Sequence, residues 1–162
     1  SYQAEITNEF KIKNIGISVT AYYNQIEDML RWVPSGSIWR PQNTDEVEIF
    51  GFEAGFTYSK HFRKHSINLN GNCGYTSSKD KKIKKYLIYV PTHKANTGVS
   101  YGYEDLIIYG EFLYVGEVYT RSDNNSRYNI DAYQIINLGT DYTFKKNYTL
   151  GIKVQNIFNT FY

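Results

Sequence analysis

The sequence predicts an all-β chain: an antiparallel up-and-down meander supplying about eight strands of a larger transmembrane β-barrel. Three observations predict it. Apolar and polar residues alternate with a period of two along most of the chain. The alternating segments run to about ten residues or more, whereas strands of globular proteins are usually ~5–6 long. The connections alternate between short and long, which puts every long one at the same end of the sheet.

The eight strands are expected at about 1–11, 15–31, 46–60, 66–78, 88–103, 106–120, 132–144 and 148–157. The second places Ile15, Ile17, Val19, Ala21 and Tyr23 on one face and Gly16, Ser18, Thr20, Tyr22 and Asn24 on the other. The fourth sets Ile67, Leu69, Gly71, Cys73 and Tyr75 against Ser66, Asn68, Asn70, Asn72 and Thr76. In the sixth, Leu106, Ile108, Phe112, Tyr114 and Val118 oppose Tyr109, Glu111 and Glu117, although Ile107, Leu113 and Val115 blur the polar side. The eighth sets Tyr148, Leu150, Ile152 and Val154 against Thr149, Gly151, Lys153 and Gln155. Tight turns are expected at 13–14, 62–65, 104–105 and 145–147, and long polar loops at 32–45, 79–87 and 121–131. No segment carries a helical period.

Ten residues at ~3.3 Å each, tilted by about 45°, span the hydrocarbon layer of an outer membrane. Aromatic residues gather near both strand ends. Phe10, Tyr58, Phe62, Tyr101, Tyr142 and Tyr148 lie by the short turns; Tyr23, Phe50, Tyr75, Tyr89 and Tyr133 lie towards the long loops. Rings that are half apolar and half wet suit the two membrane–water interfaces. The middle of the apolar face is aliphatic or small (Val19, Ala54, Leu69).

Composition narrows the function. The 162 residues suffice for one sizeable unit, and the mean hydropathy of -0.52 with 17 tyrosines fits strands with one wet face. A net charge of +2 is too weak to indicate nucleic acid. The single cysteine, Cys73, excludes an internal disulfide and a cysteine-rich zinc site. No run approaches the ~18 apolar residues of a transmembrane helix.

Three stretches carry a family resemblance. "VPTHKANTGVSY" (Val90 to Tyr101) has a proline at the start of a strand that ends in a Ser-Tyr pair. "IFGFEAGFTYS" (Ile49 to Ser59) places Gly51-Phe52-Glu53 after a long loop. "LGIKVQNIFNTFY" at the end carries Val154, Asn156, Ile157, Phe158, Asn159 and Tyr162 in a characteristic spacing. Together these resemble the C-terminal barrel of TonB-dependent outer-membrane receptors. The resemblance implies a plugged barrel of about 22 strands, with the long loops extracellular and "NIFNTFY" opening one of them. It implies that the plug domain, its TonB-contacting segment and the final strand lie outside 1–162, a partial barrel. It also implies TonB-driven uptake of a large solute such as a siderophore, cobalamin, haem or an oligosaccharide. Outer-membrane lipid, lipopolysaccharide, the solute and TonB, acting through the plug, are the implied partners. No cofactor is implied. An ungated porin or adhesin-type barrel, and a soluble β-sandwich binding module, are the alternatives.

No catalytic constellation is visible, and the chain is expected not to be an enzyme. Glu53, Asn68, Asn70, Glu111, Glu117, Asp141 and Lys153 fall on the polar face and are expected to line the lumen. Paired carboxylates can do acid–base work, but a polar lining needs charged residues in any case. His61 and His65 flank a turn and are not expected to hold metal. Trp32, Trp39 and Arg40 in the first long loop suit stacking and hydrogen bonding to a ligand. Tyr119, Arg121 and Asp123 belong to a polar, flexible loop able to close over one. "KDKKIKK" (Lys79 to Lys85) is a basic loop tip suited to lipopolysaccharide phosphate or an anionic ligand.

Overall fold

The computed structural model describes the backbone of residues 1–162 and all side chains except those at positions 31, 44 and 45. Nine strands form one antiparallel sheet: β1 (Tyr2–Ile12), β2 (Ile15–Ser35), β3 (Ile38–Phe62), β4 (His65–Asp80), β5 (Lys85–Tyr86), β6 (His93–Tyr103), β7 (Leu106–Val115), β8 (Tyr133–Phe144) and β9 (Tyr148–Val154). Their order is β1-β2-β3-β4-β6-β7-β8-β9, with the two-residue β5 pairing the end of β4. The eight-strand meander is the expected one. There is no second sheet among the described residues, which removes the β-sandwich alternative.

Register carries the alternation across the whole sheet. One continuous row runs Val19↔Ala54↔Cys73↔Ala95↔Tyr114, and another runs Ile17↔Phe56↔Gly71↔Thr97↔Phe112↔Ile136. Directly opposed residues share a face, so Ile17, Val19, Leu69, Ile108, Tyr114, Ile152 and Val154 lie on one side. The same side carries the rings of Phe10, Tyr58, Tyr101 and Tyr142 towards the turns, and Tyr23, Phe50 and Tyr75 towards the loops.

At the turn end the chain reverses through two-residue loops. Ile12↔Ile15, Phe62↔His65 and Tyr103↔Leu106 close them. Lys13, Arg63 and Glu104, the first loop residues, have φ of 49°, 52° and 51°. Positive φ at that position alone is the mark of the type II′ turn, which matches strand twist. Neighbouring turns are tied together: Lys64 pairs with Glu104, and the Glu104 amide donates to the Lys64 carbonyl at 2.9 Å.

The loop end departs from expectation. The segment 32–45 is not a loop. β2 and β3 continue as a two-stranded ribbon to a turn at Gly36 (φ +64°) and Ser37, with Pro34↔Trp39 and Trp32↔Pro41 in register. Both prolines have the same ladder parity and sit where the strand edges are free, so neither removes a bond within the ribbon. The basic tip is a tight hairpin: Asp80 Oδ1 accepts from the amides of Lys82 and Ile83, at 3.0 and 3.2 Å, and β5 returns along β4. The strand expected from 88 starts at His93, because Tyr89 (φ 59°) and Pro91 break the ladder. The strand expected to reach 120 ends at Val115, one position before the last bond in its register with β6, the Gly116 amide on the His93 carbonyl at 2.8 Å.

The sheet has no interior. The buried apolar residues described are Val33, Val47, Leu87, Ile88 and Val118, all at the loop end. Sidedness therefore has a direct energetic test. Val19→Lys, on the apolar face, is expected to destabilise the full-length barrel by roughly 2–4 kcal/mol near the bilayer midplane. Thr20→Lys, one position on and facing the other way, is expected to cost far less. Equilibrium unfolding in lipid measures both, and equal costs would contradict the assignment of faces.

Candidate functional site

The polar face is the first part of the site. Glu53, Asn68, Asn70, Glu111, Asp141 and Lys153 all project to it by register. Glu117 does not, because it lies past the end of β7 in the 116–132 loop, where it accepts from the Asn129 side chain. The polar residues bond sideways across strands. Asn68 joins Ser59 at 2.7 Å and Ser100 at 3.3 Å; Tyr22 joins Thr76 at 2.6 Å. Glu111 accepts from Lys153 at 2.8 Å and Asn137 at 3.1 Å. Asn137 in turn accepts the Asn156 amide at 2.9 Å. The Asn156 side chain then closes on the backbone of Thr160, donating at 2.9 Å and accepting at 2.8 Å. One network thus runs from the polar wall into the C-terminal "NIFNTFY" segment.

Glycine explains why these side chains lie flat. Gly16, Gly51, Gly55, Gly74, Gly98, Gly102, Gly139 and Gly151 all fall on the polar face, eight of the twelve in the chain. A Cβ at Gly139 would meet the Tyr109 ring, one at Gly51 the Tyr22 hydroxyl, and one at Gly151 the Asp141 carboxylate. The missing side chain gives its cross-strand neighbour a slot on the wall, the arrangement in which an aromatic ring covers a strand glycine. Between these slots, Glu53 and Lys94 flank Gly74 at a shallow hollow of about 300 Å³.

The loop end is the second part. On the ribbon, Trp32 and Trp39 share a face with Pro34 and Pro41, while Arg40 pairs with Val33 on the opposite face. Arg40 therefore lies on the other face of the ribbon from the two tryptophans. Trp39 packs against Tyr89 with ring centroids 6.0 Å apart. Trp32 stays 63% exposed.

The 116–132 loop is folded onto itself rather than open. Val118 and Ile130 form a two-way backbone bridge. The Arg121 guanidinium lies 3.6 Å from the Tyr128 ring centre. Asp123 accepts the Asn125 amide at 3.1 Å, and Asn125 accepts that of Arg127 at 3.1 Å, capping a 3₁₀ turn at Ser126–Tyr128. Tyr119 stacks on Tyr86 of β5 at 5.7 Å, and Lys79 sits 4.7 Å from the Tyr86 ring centre. Asp123 and Arg121 thus hold the loop's own shape. Asn124 bonds both backbone groups of Tyr86. Its partner lies 38 residues away, and no local signal marks it.

Among the described residues no group of three or more His, Cys, Asp or Glu is placed to hold a metal ion. His65 is instead part of an aromatic cluster, stacked on Phe62 at 4.9 Å and bonded through Nδ1 to the Tyr101 hydroxyl at 2.7 Å.

A family description, the TonB-dependent receptor-like β-barrel, matches residues 1–157. The chain is similar to a vitamin B12 transporter, BtuB, of Photobacterium profundum, at 27% identity over 150 residues, covering 90% of this chain and 24% of that protein. Among solved structures it superposes on the copper transporter OprC with a TM-score of 0.78 at 16% identity, covering 98% of this chain and 25% of that one. It superposes on the ferric yersiniabactin uptake receptor FyuA of Yersinia pestis with a TM-score of 0.77 at 17% identity, covering 98% and 24%. The chain spans about a quarter of the length of these relatives. At such identities the structural likeness establishes the fold.

Two outcomes follow from the geometry. Gly139→Ala is expected to lift Tyr109 off the wall at a cost of about 1–3 kcal/mol, read by unfolding of the full-length barrel; Gly139→Ala with Tyr109→Ser should recover most of the loss. In the β4–β5 turn, the Lys81 ammonium donates to Glu46 at 2.6 Å, which holds its pKa above the ordinary lysine value. A raised folded pKa means that the pair's contribution is complete below about pH 10.4. It is lost as pH rises through the higher folded value. Glu46→Gln should return Lys81 towards ordinary lysine behaviour in an NMR titration.

Proposed function

The chain belongs to the family of TonB-dependent receptor β-barrels, and on that premise we propose that it forms part of the wall of an outer-membrane receptor that imports a large solute with energy delivered through TonB. The observation that carries this reading is the sorting of one sheet into a mainly apolar, exposed face and a mainly polar face of cross-bonded side chains. The apolar face meets membrane lipid. The polar face, with Glu53, Asn68, Asn70, Glu111, Asp141 and Lys153, lines the lumen.

In this reading 1–162 is a partial barrel. Strands elsewhere in the receptor pair with β1 and β9, and a plug carried outside this segment closes the lumen and receives the pull of TonB. The loop end is extracellular. Its exposed tryptophan surface, chiefly Trp32, meets the solute, and Tyr119 supports that surface through Tyr89, whose amide bonds the Tyr119 carbonyl and whose ring lies against Trp39. Lys84 and Lys85 at the hairpin tip are available to the phosphates of lipopolysaccharide. Vitamin B12, copper and ferric yersiniabactin, the cargoes in the relatives' names, differ in chemistry, so the fold alone does not select among solutes.

Uptake by the full-length receptor in cells with and without TonB tests the reading. Uptake is expected only with TonB, whereas an ungated porin would conduct in both. Trp32→Ala is expected to weaken solute binding about tenfold, the effect of losing ~1.4 kcal/mol at an exposed aromatic anchor. Unchanged affinity at normal surface expression would remove Trp32 from the contact surface.

A further inference from the structure

Two loop-end elements that are distant in sequence, the β4–β5 hairpin and the 116–132 loop, are joined by an unusual contact. The Tyr86 amide donates to Asn124 Oδ1 at 2.6 Å, and Asn124 Nδ2 donates to the Tyr86 carbonyl at 3.0 Å. A side-chain amide here does what a paired strand residue does, using both backbone groups of one partner. Asn124 adopts φ 54°, a left-handed conformation that asparagine tolerates better than most residues. Its own amide returns to the Arg121 carbonyl at 3.0 Å, so the clamp is anchored in its loop.

Other contacts cross the same boundary. The Tyr86 and Tyr119 rings stack with only 13° between their planes. The Tyr89 amide donates to the Tyr119 carbonyl at 2.9 Å. Tyr89 also holds φ 59°, a strained conformation for a bulky residue that persists only where its surroundings fix it. Its ring lies against Trp39 of the ribbon. Leu87 and Ile88 on one side and Val118 on the other are buried.

We propose that Asn124 is a positioning residue that fuses the β4–β5 hairpin and the 116–132 loop into one preassembled extracellular unit, so that a solute meets a formed surface rather than two independently moving loops. This rests on the receptor reading only for its consequence in binding; the fusion itself is independent of any solute. Preassembly lowers the ordering cost of association, because the loop conformation is already fixed.

The experiment is hydrogen exchange on the full-length receptor in lipid, without solute, comparing Asn124 with N124G and N124D. Glycine keeps the left-handed backbone and removes both side-chain bonds. Aspartate keeps the acceptor for the Tyr86 amide and loses the donor to its carbonyl. N124G is expected to speed exchange about tenfold both at Tyr86 and across 117–130, with N124D between it and the parent. Acceleration confined to 117–130, with the hairpin unchanged, would overturn the proposal. So would weaker solute binding in N124G with exchange unaltered, which would make Asn124 a direct contact. Tyr86→Ala is the check from the other side: it keeps both backbone groups that Asn124 bonds and removes only the ring stack on Tyr119, so it should loosen 117–130 less than N124G does, and loosening as large as in N124G would assign the fusion to the ring stack and overturn the proposal. Failure of the receptor reading would appear separately, as uptake that does not need TonB while the exchange results stand.

Discussion

In hydrocarbon there is no water to bond a backbone amide or carbonyl, so every such group must find its partner in the protein. The rest of this structure depends on that constraint. Ladders join β1 to β9 in one sheet, and pairs such as Ile17↔Phe56 and Ile108↔Thr140 keep one register along their strands. A one-residue slip would send every apolar side chain to the polar side. With the backbone satisfied by the sheet, the side chains need not form a core, and in the sheet they do not. The membrane occupies the place that a second layer fills in a globular protein.

The polar face answers a second demand. In the proposed barrel, a wall that borders a wide lumen must be hydrophilic without crowding it. Tall side chains on every luminal position would meet, and charges held in a crowded interior without partners are costly. Glycine on one strand and a long polar or aromatic residue on its neighbour resolve this, as with Gly139 under Tyr109 and Gly51 under Tyr22. On the same face Lys153 is placed next to its complement, Glu111. The network then continues through Asn137 to Asn156. The wall and the C-terminal segment at the loop end therefore share hydrogen bonds.

What was legible in the sequence follows the same division. Facing is a local property with period two, so Val19, Leu69 and Ile152 could be assigned from their neighbours alone. Short turns were legible because nothing but a turn fits between two alternating runs. The ribbon was not, since Pro34, Gly36 and Pro41 together resemble a loop. Proline is tolerated at free edges, and that freedom depends on β1 and β4 ending early, which the sequence at 32–45 does not contain. Read as strands, the same residues would have put Trp32 with Trp39 and apart from Arg40. Glu117 was carried past the true end of β7 by an alternation that outlasts the ladder. The clamp at Asn124 was illegible for a different reason: its partner is 38 residues away.

The two ends of the sheet differ because the constraint acts on them differently. At the turn end left-handed residues occur as the first positions of minimal turns, Lys13, Arg63 and Glu104, and in the Lys145–Lys146 turn. There the chain only has to reverse. At the loop end they are scattered through longer structure, at Tyr89, Asn124, Asn156 and Asn159. Water and side chains can satisfy backbone groups there, so irregular conformations become affordable and their details are set by long-range contacts. Residues at that end can change without disturbing the ladder. Against OprC and FyuA, 16–17% identity coexists with TM-scores of 0.77–0.78. The backbone pairing is shared while the residues on it have changed. The long-range contacts of Trp39 on Tyr89 and Asn124 on Tyr86 lie where the pairing rule has been relaxed.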